Sequence, residues 1–434
     1  MAGSSPAPRA SMWRNAAFVR VFSAATVSIF GSLVTRTALP FAAILVLGAG
    51  PLEVAAIRAC EILGGLVVGL VAGAWVDRLR RRPVMIAADL GQAVCLGSIP
   101  VAYLGSWLSM SQLIIVALLA SALETFHNVA DRAYLPTVVE RDELVAANSA
   151  LSASGSVAEV SAFSIGGVLV QLLTAPIAIA VDAISFVVSA VVLGTIRRPE
   201  APPTPHEQRT SIRAEIVDGL RPIGQSPVLR AIVVAGSGAH LLWGAFGAVY
   251  LVYATDELGL GPAMIGLVAA VGGVGSLAGA LLGPRANRRL GVGPCILLGL
   301  IGFTLGNALV PLAPSGSVAI AVALLVGQQL IGDVSATIEE ITEVSLLQTT
   351  VPNELLGRVN GTYNFLTHLF LLVGTIGAGL IGEWIGLRQA LVFGLLGGVA
   401  AVIFVWFSPL RTLRAMPDMA PGAVPLIVEL PLIE

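Results

Sequence analysis

The chain alternates between long apolar runs and short polar turns, and this pattern predicts its secondary structure. Apolar runs of about 20 residues recur along the sequence, which is the length a helix needs to cross the core of a bilayer. We therefore predict an all-α membrane protein with twelve transmembrane helices. The predicted helices are 20–47, 52–75, 84–104, 111–131, 146–172, 175–196, 229–254, 263–283, 293–313, 317–338, 356–382 and 387–408.

The composition supports this class, because 56% of the residues are hydrophobic and 12% are charged, whereas soluble domains carry roughly 25% charged residues. The basic residues are all arginine, and they form no cationic face that would bind nucleic acid. The three cysteines lie inside apolar runs and are typical of small buried thiols. No P-loop lysine and no zinc-spaced His/Cys cluster occurs, so we expect no enzyme activity, no cofactor and no metal site.

The arginines predict the orientation of the helices. Twelve spans place both termini on the same side of the membrane. With that side taken as cytoplasmic, all of the 24 basic residues except Arg36, Arg58 and Arg388 lie in or beside cytoplasmic segments. This asymmetry follows the rule that cytoplasmic loops carry the positive charge. We therefore predict that both termini are cytoplasmic.

A repeat predicts two six-helix halves with pseudo-symmetry. The basic turn, residues 73–82, has a weaker copy at 283–289, and the glycine pair at 64–65 has a counterpart at 272–273. Copies with an even number of spans run parallel, and this architecture places a substrate site near the midplane between the halves. The predicted segments are the first half 1–196, a proline-rich cytoplasmic linker 197–227, the second half 228–410 and a cytoplasmic tail 411–434.

The basic turn also resembles a known sequence motif. Its residues are Gly73, Asp77, Arg78, Arg81 and Arg82. They resemble the signature loop between the second and third helices of the major facilitator superfamily. The segments 84–89 and 134–136 and the residue Asn148 are similar to the drug-efflux branch with the macrolide exporters and the enterobactin exporter. This resemblance implies a twelve-helix transporter fold.

The resemblance also implies a gate. Asp77 would meet the N-terminal end of the eleventh helix, where a carboxylate is stabilised by the helix dipole, and Arg78 would pair with Asp131. Two departures stand out: Arg80 replaces a glycine of the signature, and the fifth helix lacks the Gly-Pro that precedes a glycine pair in many proton antiporters. The simpler alternative is that these arginines only hold the loop in the cytoplasm.

Charged residues inside the spans are the other candidates for function, because a charge within a bilayer must face a cavity or a partner. A carboxyl group shielded from water binds a proton more readily, and the proton-coupling candidates are Glu124, Asp333 and Glu61. The predicted substrate-cavity residues are Arg36, Glu124, His127, Asn128, His240, Trp243, Tyr250, Gln328 and Asp333.

Each candidate has a structural alternative. Arg36 could form a buried ion pair, Glu61 could pair with Arg58 one turn away, and His127 could be a packed histidine. The aromatic residues of the seventh helix could belong to an interfacial belt. We expect the acidic residues after the tenth span, 339–343, to continue into solvent.

The sequence therefore predicts a secondary active exporter in the bacterial inner membrane. Its partners would be a small amphipathic compound (an antibiotic, siderophore or other natural product), protons and the lipid bilayer, and it would act as a monomer. Two alternatives remain open: a carrier for metabolite uptake or facilitated diffusion, and a membrane sensor or scaffold that does not transport.

Overall fold

The structure is a computed structural model that describes residues 12–76, 78–140, 143–197, 200 and 220–415. Within these ranges the secondary structure is helical. Most of the predicted linker and of the predicted tail falls outside the described residues, and so does Asp77 of the basic turn.

Six long helices precede the predicted linker. The first helix continues as a π-helical turn over Ala42–Val46. The fourth helix contains Pro136 close to its C-terminal end. The helices are α1 (Ala16–Phe41), α2 (Pro51–Val76), α3 (Arg81–Leu104), α4 (Met110–Val138), α5 (Leu144–Leu173) and α6 (Ala175–Gly194).

Six further helices follow the linker. The tenth is continuous but contains a π-helical turn over Gln329–Asp333, and its full range is Val318–Thr350. The helices are α7 (Pro227–Val252), α8 (Pro262–Leu290), α9 (Val292–Ala308), α10 (Val318–Thr350), α11 (Asn353–Trp384) and α12 (Leu387–Phe407). A helix thus lies at each of the twelve predicted positions.

Nine helices of the described part of the chain are long and apolar enough to cross a membrane. The helix α9 is apolar but shorter, and so is the segment Ser164–Leu173 of α5. The many outward-facing apolar side chains, such as Leu172, Leu281 and Phe407, fit a lipid environment. Cys295 is buried as expected, whereas Cys60 and Cys95 are half-buried, and all three are free thiols.

The chain divides into two compact units. The first unit comprises Met1–Leu47 and Cys60–His206, and the second comprises Gly48–Ala59 and Glu207–Glu434. In the first unit, α1 packs on α5 and α6, and α3 packs on α4 and α6. In the second unit, α7 packs on α11 and α12, and α9 packs on α10 and α12. The same neighbours recur at an offset of six helices, as a repeated architecture requires.

The helices that carry most candidate residues, α4 and α10, begin alike. The hydroxyl of Ser109 accepts a hydrogen bond from the backbone N–H of Gln112 at 3.4 Å, and Ser317 does the same for Ile320 at 3.4 Å. A serine at this position satisfies one of the N–H groups that a helix start leaves free. The repeat therefore extends to the way these two helices are capped.

Three helices continue about two turns or more past their predicted ends, and the reason is physical. The predicted ends of α4, α8 and α10 follow the fall in hydropathy, but a helix ends where its backbone must change direction. The helix α8 continues to Gly291, whose φ of +95° breaks the helix. The helix α10 continues to Thr350, shortly before Pro352. The added turns of α10 carry three glutamates.

Candidate functional site

Four of the predicted residues lie together in the first unit. Glu124 of α4 has three charged neighbours: Glu61 of α2, Arg36 of α1 and His127 one turn along its own helix. The side chains of Glu124 and Arg36 are exposed, while those of Glu61 and His127 are half-buried. The cation of Arg36 therefore offsets part of the repulsion between two acids within otherwise apolar helices.

A fifth residue, the acidic Asp182 of α6, joins this group. Its side chain is 1% exposed, and the hydroxyl of Ser185 donates a hydrogen bond to Oδ1 at 3.1 Å. Thr35 of α1 and the charge of Glu124 also act on it. The helices approach closely here, because a Cβ at Gly31 of α1 would collide with Asp182 and Ser185. Asp182 thus connects α1 and α6 beside the group around Glu124.

The structure places His127 against a residue that sequence reasoning missed. Asp89 of α3 is fully buried, and its Oδ1 lies 2.7 Å from Nδ1 of His127. The hydroxyl of Ser189 on α6 donates a hydrogen bond to Oδ2 of Asp89 at 2.6 Å. Three helices therefore meet at one buried carboxylate. The feature of the sequence that could have revealed Asp89 is an acidic residue within an otherwise apolar helix.

Asp131 lies one turn beyond His127 on α4 and has a different set of neighbours from the one that the resemblance implies. The charged groups near its carboxylate are His127, Asp89 and Arg132. Arg78, the implied partner, is exposed. Asn128, which was predicted to line the cavity, is also exposed.

The arginines of the basic turn are anchored within the first unit. Backbone N–H of Arg81 donates to Oε1 of Glu200 at 2.6 Å, and its guanidinium lies 3.8 Å from the same oxygen. Nε of Arg82 donates to the carbonyl of Leu193 at 2.8 Å. The turn therefore caps the end of α6, where exposed carbonyl groups favour a cation. Gly73 lies in the last turns of α2.

The second copy of the basic turn is held by an uncharged contact. Nδ2 of Asn287 on α8 donates to the hydroxyl of Thr342 on α10 at 2.9 Å, and that hydroxyl lies 3.2 Å from Oδ1 of Asn287. Thr342 is fully buried. The two copies of the turn thus share their position in the repeat but differ in their chemistry.

The predicted residues of α7 face different helices. The ring of Trp243 stacks on Phe303 of α9 with centroids 6.0 Å apart, and 51% of the tryptophan is exposed. The ring of His240 lies 6.0 Å from that of His368 on α11, and its Nδ1 is 2.7 Å from the carbonyl of Gly236. The structure therefore does not bring His240 and Trp243 together.

Asp333 lies in a second polar group, at the π-helical turn of α10. It acts electrostatically on Tyr250 of α7, and a Cβ at Gly272 of α8 would overlap its carboxylate and the amide of Gln329. The amide of Gln329 donates to the carbonyl of Val268 at 3.4 Å. Gln328 is buried. Because the glycines of α8 have no side chain, the polar turn of α10 can pack closely against this apolar helix.

One expectation from the sequence is wrong. Glu339 and Glu343 were expected to continue into solvent, but they are 6% and 3% exposed. Glu340, between them, is exposed as expected. The helix continues through this stretch, so residues four apart share a face while the residue next to them points away. Hydropathy alone could not show which face was covered.

An all-helical chain with apolar spans and charged residues gathered inside them defines a membrane carrier, since charges are retained within the bilayer where they serve transport. The chain belongs to the major facilitator superfamily, whose family model matches residues 21–369 and 232–425. It is therefore a multi-span protein of a transporter family and not an enzyme. The predicted all-α membrane fold is confirmed, whereas the count of twelve membrane-spanning helices is not confirmed exactly.

The relatives include transporters of different kinds. The chain is 25% identical over 381 residues to the uncharacterized MFS-type transporter YfiS of Bacillus subtilis, a match that covers 86% of this chain and 88% of YfiS. It is 30% identical over 223 residues to the multidrug efflux pump Tap of Mycolicibacterium fortuitum, covering 50% of this chain. It spans about half of Tap and of the MFS-type transporter y4rN of Sinorhizobium fredii, 54% in both cases.

Solved structures share the fold at low identity. A bacterial homologue of the iron transporter ferroportin in its inward-facing state is similar with a TM-score of 0.74 and 19% identity, covering 92% of this chain and 99% of that one. The nucleoside transporter NupG is similar with a TM-score of 0.72 and 12% identity, covering 90% and 97%. At these identities the likeness shows the superfamily fold alone.

Proposed function

We propose that this protein exports a small amphipathic compound across the bacterial plasma membrane, by alternating access and in exchange for protons. Both termini would be cytoplasmic, and the protein would act as a monomer. The observation that carries the proposal is the group around Glu124, where an accessible carboxylate lies beside Arg36 and Glu61.

This group has the properties that proton coupling needs. The side chain of Glu124 is exposed, and its charge is balanced against one cation, Arg36, and two acids on other helices, Glu61 and Asp182. When Glu124 takes up a proton, this balance shifts and Arg36 attracts other anions or acids more strongly. A proton and a substrate can therefore compete for the same arrangement.

The direction of transport is supported by one relative. The printed name of Tap is that of a multidrug efflux pump, and its match covers about half of this chain. The segments 84–89 and 134–136 and the residue Asn148 also resemble the drug-efflux branch. We extend the efflux activity to this protein on that basis.

Accumulation of ethidium in everted membrane vesicles tests the proposal. Vesicles with the protein should accumulate ethidium when they are energised, and an uncoupler should abolish the accumulation. Glu124→Gln should lose it, whereas Glu140→Gln, which removes an exposed acid beyond the end of α4, should keep it. Ethidium uptake that is insensitive to the uncoupler would contradict proton exchange. Counterflow of a metabolite without any drug export would favour an uptake carrier.

A further inference from the structure

We propose that Glu339, Glu343 and Tyr363 form a proton-binding site in the second unit, a paired carboxyl and carboxylate that takes up and releases one proton during transport. The transport role rests on the proposed function; the presence of a shared proton does not. The site is separate from the group around Glu124, which lies in the first unit.

The geometry begins with the spacing on α10. Glu339 and Glu343 are four residues apart, so their side chains lie on the same face of the helix. Each carboxyl group acts on the other. A carboxylate only accepts hydrogen bonds, so the two groups can bond to each other only when one of them carries a proton.

Burial makes this proton necessary. The two side chains are 6% and 3% exposed. In the part of the chain that the structure describes, the charged group near the pair is another acid, Glu340, and no cation acts on it. Two carboxylates that share a site away from water cannot both be ionised, so the pair holds at least one proton.

Tyr363 of α11 completes the site. Its hydroxyl lies beside Glu343, because a Cβ at Gly236 of α7 would contact both the tyrosine hydroxyl and Oε1 of Glu343. A phenol hydroxyl can donate a hydrogen bond to a neighbouring carboxylate and so favours the ionised form of that partner. The other two neighbouring helices contribute glycines. A Cβ at Gly236 of α7 would lie 2.9 Å from Oε1 of Glu343, and one at Gly299 of α9 would lie 2.6 Å from Cβ of Glu339.

The hydrogen-bond acceptors of the site are not all satisfied. Oε1 of Glu339 and Oε1 of Glu343 are both buried and accept no hydrogen bond from the described residues. A buried acceptor without a partner is costly, and a second proton on the pair would supply a donor. Tyr363 from α11 faces the pair, while Glu340 acts on it from the exposed side of the same helix, and no cation of the described residues acts on the pair.

Infrared difference spectroscopy of the purified protein tests proton binding without any substrate. When the pH is changed, the wild-type protein should show a titrating C=O band of a protonated carboxyl group. The double variant Glu339→Gln/Glu343→Gln should lose the part of this band that belongs to the pair, whereas Glu340→Gln, the exposed neighbour on the same helix, should keep the full band. A double variant with a titrating band as large as that of the wild type would overturn the proposal.

A comparison of sodium and choline salts distinguishes the binding of a proton from the binding of a metal cation. At constant pH, replacing choline chloride by sodium chloride should leave the band unchanged. Loss of the band in sodium would show that the pair binds this cation instead, and the proposal would be wrong.

Ethidium transport in everted vesicles tests the transport role. Glu339→Gln and Glu343→Gln should lose uptake driven by the proton gradient, while exchange of ethidium at equal pH stays within about twofold of wild type, which shows that the variants fold. Tyr363→Phe should shift the pH at which driven uptake is half-maximal. Single variants that behave like Glu340→Gln would overturn the transport role, whereas uncoupler-insensitive uptake by wild type would instead refute the proposed function.

Discussion

Nδ1 of His127 lies 2.7 Å from Oδ1 of Asp89, and the two residues join α4 to α3 in the interior of the first unit. Ser189 of α6 contacts the other oxygen of the same carboxylate. This contact turns a histidine of the candidate cavity into part of a buried network, next to the group around Glu124. Its strength should be visible in the stability of the protein.

We expect Asp89→Ala to destabilise the protein by about 3–5 kcal/mol, because removing one partner leaves the other buried without compensation. Ser189→Ala should cost about 1 kcal/mol, the value of one hydrogen bond. Unfolding of the purified protein in denaturing detergent measures both, with Glu140→Ala as the exposed control. Equal effects of Asp89→Ala and Glu140→Ala would show that the contact contributes nothing.

Gly31 should be intolerant of any side chain. A Cβ there would collide with Asp182 and Ser185, so Gly31→Ala should force α1 away from α6 and lower the melting temperature. Gly155→Ala on α5 is the matched control, since a Cβ there meets nothing, and the change should stabilise the helix by about 0.5–1 kcal/mol. A melting temperature that is unchanged by Gly31→Ala would refute the close approach.

The two basic turns should respond differently to neutral substitutions. Asn287→Ala removes a hydrogen bond to Thr342 and should cost about 1 kcal/mol of stability with little effect on ethidium export. Asp77→Asn removes a charge that the resemblance assigns to the gate and should impair export strongly. Rates of export measured for both variants at matched protein levels decide the point, and equal losses would count against a charge-dependent gate in the first half.

The ion pair of Arg388 and Glu257 should matter little. Its two atoms are 3.2 Å apart, but the side chains are 43% and 33% exposed. Exposed pairs contribute about 0–1 kcal/mol and weaken in salt. Glu257→Gln should therefore leave the unfolding free energy almost unchanged at high salt, as measured in denaturing detergent. A loss as large as that of Asp89→Ala would mean that this pair is shielded from water.

The sequence predicted the helices well because apolar runs of span length have few other interpretations. It also drew attention to Arg36, Glu61, Glu124 and His127, which the structure places together; that they carry the chemistry of the first half stays a prediction. It could not predict the partner of His127, because Asp89 lies on another helix and the pairing depends on tertiary packing.

In the second half, the sequence did not predict where α10 ends or which of its glutamates are buried. The hydropathy of α10 falls before its last four turns, so the fall predicted an early end and solvated glutamates. Helix periodicity places Glu339 and Glu343 on one face, but only the packing of α7, α9 and α11 shows that this face is covered. The burial of polar residues depends on neighbours that a single chain segment does not contain.

Proton movement during substrate efflux tests the central claim most directly. Proteoliposomes loaded with ethidium and a pH-sensitive dye, and then diluted into ethidium-free buffer, should acidify inside as ethidium leaves in exchange for protons. Glu124→Gln should abolish the acidification, and Glu140→Gln should keep it. Ethidium efflux by the wild-type protein without any change of internal pH would contradict proton exchange and show a carrier for facilitated diffusion.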